Sequence, residues 1–468
     1  MNKKGSQPQQ TNMAEDIIWC IQELMKQLAE VTFLLLKFGG KFVLKRYFKV
    51  RFKDPIVMKD LKSKKKDDCH DTLGWMVKAS NPLLFDDMDT RRHTMIIGST
   101  GYGKTNLMTL MHERSTMKNH SIVFFDPKAS YESMQMFKEA CEITGKKVYF
   151  FNEFAPIRHS FNPLLDGNTD QITDRIVSAC NWSDEFYKSA SVKALKEVVH
   201  YLKSQGEVVT IQKICDLLEQ RKDQDKISGL IYQLESVNMS EFSEIINDDS
   251  TETLSFSKLR EENACLYIGI SSLGYSDTAK FLNKLFLDNL LYHCYESLKV
   301  DAAFNESRRP MSVYFDELGS IINHKFIELQ NKCRAADIEI TYATQCPADL
   351  QTVSGPLCDQ VFENTENLFV FKQKVPNNVD YITQMIGTVT DEKKTYHTDE
   401  DKRTGVGSIR EVDRLELHPS ILRNLPIGKC VYLNKKDRYI DILNVRKHER
   451  RKPKTSIQTN QETQRSAF

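Results

Sequence analysis

The stretch Thr94-Met95-Ile96-Ile97-Gly98-Ser99-Thr100-Gly101-Tyr102-Gly103-Lys104-Thr105, continuing as Asn106-Leu107-Met108-Thr109-Leu110-Met111, decides how this chain is read. Four strand-forming residues lead into a glycine-rich turn, and the turn leads into a segment with helical patterning. Residues Gly98 to Thr105 fit the pattern G-x-x-x-x-G-K-[ST]. Its glycines let backbone N–H groups close around phosphate oxygens at a helix N-terminus, whose dipole favours anions. In such a loop Lys104 reaches the β- and γ-phosphates, and the Thr105 hydroxyl ligates Mg²⁺. The motif therefore predicts an ATP or GTP site built by Gly98, Ser99, Thr100, Gly101, Tyr102, Gly103, Lys104 and Thr105.

A phosphate loop needs an acidic partner at the end of an apolar strand, and Ser312-Val313-Tyr314-Phe315-Asp316-Glu317 supplies one. Asp316 is expected to hold the magnesium shell, and Glu317 to orient or deprotonate the attacking water, which makes the chain a hydrolase. One strand later, Ile338 to Thr344 ends in Gln345, a neutral donor and acceptor able to touch the γ-phosphate or its water. The interval between Lys104 and Asp316 is long for one α/β core, which points to an insertion.

Around these motifs the chain alternates between short apolar segments and helices. The expected strands are Thr94–Ile97, Ile122–Phe125, Val148–Phe151, Cys265–Ile270, Val313–Phe315, Ile338–Ala343 and Leu368–Phe371. Mostly apolar strands separated by helices read as a parallel sheet covered on both faces. Between Asp166 and Glu262 helical spacing takes over, as in Ala194, Leu195, Val198, Val199 and Leu202. The fold class is thus α/β, with a mainly parallel sheet and an inserted all-helical domain. Nearer the N-terminus, Ile17, Ile21, Leu24, Leu28, Val31 and Leu35 mark an amphipathic helix over Glu15 to Leu36. A basic run follows from Lys37 to Lys64-Lys65-Lys66, opposed only by Asp54 and Asp60. Such a pair of segments suits the cytoplasmic leaflet of a membrane, a partner helix, or a helix folded on the chain's own domain with a solvated charge run behind it.

Composition limits the alternatives. The 468 residues carry a formal charge of +1, so no global field draws the chain to a polyanion and any DNA contact must be local. The eleven cysteines are scattered without a C-x-x-C, which excludes a disulfide framework and a zinc knuckle and suits a reducing cytoplasm. Cys69-His70-Asp71 has no second ligand pair, and reads as a polar turn. The best candidate for a membrane span, Val31 to Leu36, stops at Lys37, well short of the roughly 18 residues a span needs. The expected location is cytoplasmic, with peripheral attachment at the inner membrane face left open.

With these residues in view, the sequence resembles the coupling proteins of conjugation and type IV secretion, the TraD/TraG class, from about Leu73 to Val445. The pieces that carry it begin with Arg92-His93 leading into the phosphate loop, Phe125-Asp126-Pro127-Lys128, and Phe161-Asn162-Pro163-Leu164. Phe315-Asp316-Glu317-Leu318-Gly319, Asn331-Lys332-Cys333-Arg334 and Ala343-Thr344-Gln345 follow. The last are Ser408-Ile409-Arg410-Glu411-Val412 and Leu425-Pro426-Ile427-Gly428. The resemblance implies a RecA-like P-loop ATPase using ATP and Mg²⁺, assembled as a homo-hexameric ring that threads DNA through its pore. It implies partners too: a relaxase or relaxosome protein, and a type IV secretion channel. In ring ATPases a neighbour's arginine completes the site, and Arg334 is the candidate.

Two departures from the class stand out. Its N-terminal transmembrane helices have no counterpart here, so the expected membrane contact comes from the amphipathic helix, from an anchoring subunit, or not at all. The glycine and acidic residue that follow Asp-Pro-Lys in the class are Ala129-Ser130 here.

The expected division is a disordered segment 1–13, the helix, basic segment and lead-in over 14–92, and an ATPase core split into 93–165 and 263–445. The helical insertion occupies 166–262, and 446–468 form a basic, polar, disordered tail. The expected function is a DNA-dependent ATPase motor that couples a relaxase-bound strand to a secretion channel. Alternatives are a cytoplasmic FtsK/HerA-like DNA translocase and a nucleotide-switched adaptor that recruits substrates.

Overall fold

The computed structural model describes residues 72–85, 91–271, 274, 276–304, 308–399 and 402–448. The expected amphipathic helix, the basic run behind it, the Cys69-His70-Asp71 triplet and the tail beyond His448 lie outside these residues. Among the described residues, no helix is long and apolar enough to cross a membrane.

Strands β1 (Thr72–Met76), β2 (Pro82–Leu84), β3 (Thr94–Ile97), β4 (Ser121–Asp126) and β5 (Val148–Asn152) come first. They are followed by β6 (Cys265–Gly269), β7 (Met311–Phe315), β8 (Ile338–Thr344) and β9 (Asn367–Val370). Next come β10 (Thr388–Asp399), β11 (Lys402–Leu415), β12 (Lys429–Asn434) and β13 (Tyr439–Val445). The main sheet has the order β2-β1-β13-β12-β9-β3-β8-β7-β4-β6-β5, and β10 pairs with β11 in a separate ribbon. From β9 to β5 every pairing is parallel. These seven strands are the seven apolar segments expected from the sequence. From β9 outward to β2 the pairings are antiparallel, an extension that the sequence pattern did not announce.

Successive side chains of a strand point to opposite faces, so an apolar run feeds two layers at once. Met95, Ile97, Val123, Phe125, Val313 and Phe315 enter one buried cluster. Ile96, Ile122, Phe124, Tyr314 and Phe369 enter the other, where helices α1 (Lys104–Met117) and α2 (Tyr131–Cys141) cover them. Leu107, Met108, Leu110 and Met111 of α1 are almost wholly buried there. Arg446 and His448, read as the start of a free tail, are held instead by Glu113 of α1, at 3.0 and 3.1 Å.

Between β5 and β6 the chain forms helices only, apart from an isolated bridge of Phe161 with Leu254. These are α3 (Thr169–Ala179), α4 (Glu185–Ser204), α5 (Ile211–Glu219), α6 (Gln224–Asn238), α7 (Ser243–Ile246) and α8 (Phe256–Glu261). Local signals start them: Asn168 and Gln171 form a capping box, and Asp184, Thr210 and Ser255 each accept a first-turn N–H. Their apolar faces run into the sheet's own core. Phe151 of β5 stacks on Phe242 at 5.6 Å, and Phe161 meets Phe256 at 4.9 Å and Phe286 of α9 (Ser276–Phe304) at 5.0 Å.

Two buried histidines give stability a sign with pH. His112 lies among Phe124, Phe137 and Tyr314, and burial, with His448 adding to it, lowers its pKa to about 3. His293 is lowered to about 3 by burial, then by Arg260 and Arg308. Both folded values lie below the unfolded 6.5, so the unfolded chain binds more protons in between and stability falls as pH drops below 6.5. Each ring should cost about 2 kcal/mol by pH 5. Denaturant titrations at pH 7.5 and 5 should show His112→Phe losing about 2 kcal/mol less than the parent between the two pH values. The same loss in parent and variant would contradict the burial of a neutral His112 ring.

Candidate nucleotide site

Parallel pairing sets the C-terminal ends of β3, β8, β7 and β4 side by side. In open α/β sheets this is the edge at which ligands bind. The phosphate loop leaves β3, the acidic pair leaves β7, and Gln345 leaves β8 between them. Neighbours in the sheet thus bring together motifs more than 200 residues apart in sequence.

Backbone contacts clamp the start of the loop, where Gly98 N–H donates to the Thr344 carbonyl and Ser99 N–H to the Lys372 carbonyl, each at 3.2 Å. A side chain at Gly98 would put its Cβ 2.5 Å from Phe371 Cβ, so only glycine fits. Gly103 takes φ 116, an angle that a non-glycine residue adopts only with strain, and it directly precedes α1. Lys104 is buried and donates to the Gly98 carbonyl, its ammonium folded into the loop it serves. Burial lowers its pKa, and Asp316 and Glu317 act against that. Lys372 and Lys374 lie 5.5 and 5.7 Å from the Tyr102 ring centre and add positive charge beside the loop.

The acidic end is rigid. Asp316 is buried, its N–H donates to the Phe125 carbonyl at 2.9 Å, and its Oδ1 accepts the Glu317 N–H at 3.1 Å. Glu317 has a left-handed backbone, φ 49 and ψ 56, which costs a non-glycine residue about 1–2 kcal/mol. Its Oε1 accepts Gln345 Nε2 at 3.1 Å, and Gln345 Oε1 accepts Thr100 Oγ1 at 3.4 Å. A continuous hydrogen-bonded path therefore joins the phosphate loop to the acid. Gln345 is itself fixed, since its N–H donates to Asp349 Oδ2 at 3.0 Å and its carbonyl accepts Gln373 Nε2 at 3.0 Å.

Lys104, Thr100, Asp316, Glu317 and Gln345 thus meet at one edge, and Thr105 is exposed on the first turn of α1. Arg334 does not join them. It is exposed in the short turn before β8, and β8 separates it from Gln345 by about 20 Å.

Sequence reading gave no role to Lys128, whose Nζ lies 2.8 Å from Glu317 Oε1 and 3.3 Å from Asp316 Oδ2. Burial would lower its pKa, but the two carboxylates outweigh this and raise it. Nor was Asp126 of the same Phe125-Asp126-Pro127-Lys128 piece given a role, although it shapes the Lys128 turn. Its Oδ2 accepts the Tyr267 hydroxyl at 2.7 Å and its Oδ1 the Lys128 N–H at 3.0 Å. Burial, then the charge of Asp316, raises the Asp126 pKa against the Tyr267 hydrogen bond. Ala129 takes φ 50 where the resemblance has glycine, and Ser130 caps α2 by accepting the Ser133 N–H. The signal was available, because Asp126-Pro127-Lys128 ends an apolar strand of a parallel sheet.

The side chains suit a magnesium-bound nucleoside triphosphate. The loop is closed to any side chain at Gly98, Lys104 supplies a cation within it, and the hydroxyl and carboxylate oxygens of Thr105 and Asp316 suit a hard divalent ion.

This sheet, loop and acidic pair define a RecA-like P-loop ATPase. Residues 71–312, more than half of the chain, match the family model described as Helicase HerA, central domain. The chain belongs to that family, and its residues 310–426 also match the model of the TraM recognition site of TraD and TraG. No curated protein sequence matches the chain. The fold is shared with the bacterial conjugative coupling protein TrwB in its unbound form, at 16% identity over 88% of this chain and 92% of that one, TM-score 0.64. TrwB in complex with ADP and Mg²⁺ gives 16% identity, 88% and 93% coverage and a TM-score of 0.59. VirB4 of Thermoanaerobacter pseudethanolicus gives 13%, 82% and 99%, with a TM-score of 0.57.

Proposed function

We propose that this ATPase is a DNA-dependent motor that couples a relaxase-bound strand to a type IV secretion channel and pumps it. The observation that carries the reading is the path from Thr100 through Gln345 to Glu317, which ties the phosphate loop to a hydrolytic acid. The TraD/TraG match over residues 310–426 and the likeness to TrwB support the conjugative assignment. In this reading Lys104 grips the β- and γ-phosphates, while Thr105 and Asp316 hold Mg²⁺, which neutralises phosphate charge. Glu317 orients the attacking water and takes its proton, and Gln345 contacts the same water. Arg334 lies too far from its own loop to act there, so its role would be at the site of the next subunit in a homo-hexameric ring. The 166–262 helices form the inserted domain, and DNA, a relaxase and a membrane-anchoring subunit are the partners.

The match over residues 71–312 favours a second reading, a HerA-like translocase of duplex DNA with no secretion channel. ATP turnover measured with single-stranded and with duplex DNA separates the two. Stronger stimulation by single strands, and sixfold rings on DNA with a slowly hydrolysed ATP analogue, are expected. Stimulation by duplex alone favours the second reading, and no stimulation by either contradicts both.

A further inference from the structure

Lys128 stands on a turn that Asp126 pins through two backbone N–H groups. Buried Asp126 accepts the Lys128 N–H at 3.0 Å through its side chain and the Ala129 N–H at 3.0 Å through its carbonyl. Tyr267 fixes the other oxygen of Asp126, and Ser130 starts α2 immediately afterwards. From this mount the side chain reaches across from β4 to the acids at the end of β7. Gln345 approaches the same Glu317 Oε1 from β8, on the opposite side in the strand order. The acid is therefore bracketed by a neutral donor on its phosphate-loop side and a cation on the other.

We propose that Lys128 is a positioning residue for hydrolysis, holding Glu317 against Gln345 and offsetting the charge of the paired carboxylates. This rests on the reading that the chain hydrolyses ATP at this edge. In the step it serves, the water oxygen bonds to the γ-phosphorus while the bond from that phosphorus to the bridging oxygen breaks. ADP leaves with the electron pair, the water proton passes to Glu317, and Lys128 keeps its own. Glu317 occupies a strained left-handed backbone, so its peptide geometry alone limits where the carboxylate can point. The Lys128 side chain is 42% exposed, whereas the Asp316 carboxylate it faces is 5% exposed, so its removal leaves a buried charge without this cation. A thermal melt of each variant therefore accompanies the kinetics, and Lys128→Arg keeps the charge.

The test uses the full chain with Lys128→Ala and Lys128→Arg. The alanine variant should lose about 10- to 100-fold in kcat, as a misplaced catalytic group does, with KM for ATP within about threefold. Arginine should restore kcat to within about threefold of the parent, because it returns the cation. A wild-type kcat in the alanine variant, or a raised KM with kcat unchanged, would overturn the proposal. A crystal structure of Lys128→Ala gives a second readout that does not need turnover. Glu317 Oε1 should leave Gln345 Nε2 by more than about 1 Å, and an unmoved carboxylate would also overturn the proposal. Absence of turnover in the parent chain would contradict the ATPase reading itself, while the crystal structure would still decide what Lys128 does.

Discussion

Lys104→Ala should abolish ATP turnover while leaving the fold in place. The ammonium is the one cation within the loop between Gly98 and Thr105, and it is nearly buried. Removing a preorganised donor aimed at developing phosphate charge typically costs about 10²–10³ in rate, and here ground-state contact with the phosphates is lost as well. Turnover should fall below about 1% of the parent. Stability should change little, because burial already opposes the charged form of Lys104 and its hydrogen bond to Gly98 is local. The checks are steady-state hydrolysis and a thermal melt on the same preparation. A variant that melts with the parent and still turns over would place the chemistry elsewhere.

Glu317→Gln should separate binding from hydrolysis. The substitution keeps the shape of the side chain and its acceptor toward Gln345, but it removes the proton acceptor. General-base catalysis contributes about 10²–10⁴-fold, so kcat should fall within that range while ATP affinity stays within a few-fold of the parent. Equilibrium binding of a fluorescent ATP analogue, paired with single-turnover hydrolysis, measures both. Equal losses of binding and turnover would mean that Glu317 holds the nucleotide rather than the water.

Much of this site was legible in the sequence because its parts are local. Glycine spacing and the adjacent lysine-threonine pair announce a phosphate loop, and an apolar run ending in Asp316-Glu317 announces its acidic partner. The seven parallel strands were legible for a similar reason, since strands covered on both faces must be apolar throughout. What escaped depends on strand order. Lys128 and Glu317 follow the ends of neighbouring strands, β4 and β7, that are far apart in the chain, and no spacing rule links them. Arg334 shows the converse. It follows Glu317 closely in sequence, yet α10 (His324–Cys333) carries the chain back to the other end of the sheet before β8 begins. The antiparallel flank was missed because β1, Thr72-Leu73-Gly74-Trp75-Met76, has a glycine at its centre and an exposed tryptophan, so it reads as a weak strand. The β10–β11 ribbon was missed because its residues are mostly polar on both faces, where alternation carries no signal.

The most direct measurement is a structure of the full chain with Mg²⁺ and a slowly hydrolysed ATP analogue. The γ-phosphate should lie within hydrogen-bonding reach of Lys104, with the metal on Thr105 and Asp316 and Glu317 facing the γ-phosphorus. A triphosphate bound away from this edge, or one whose γ-phosphate points away from Glu317, would contradict the account.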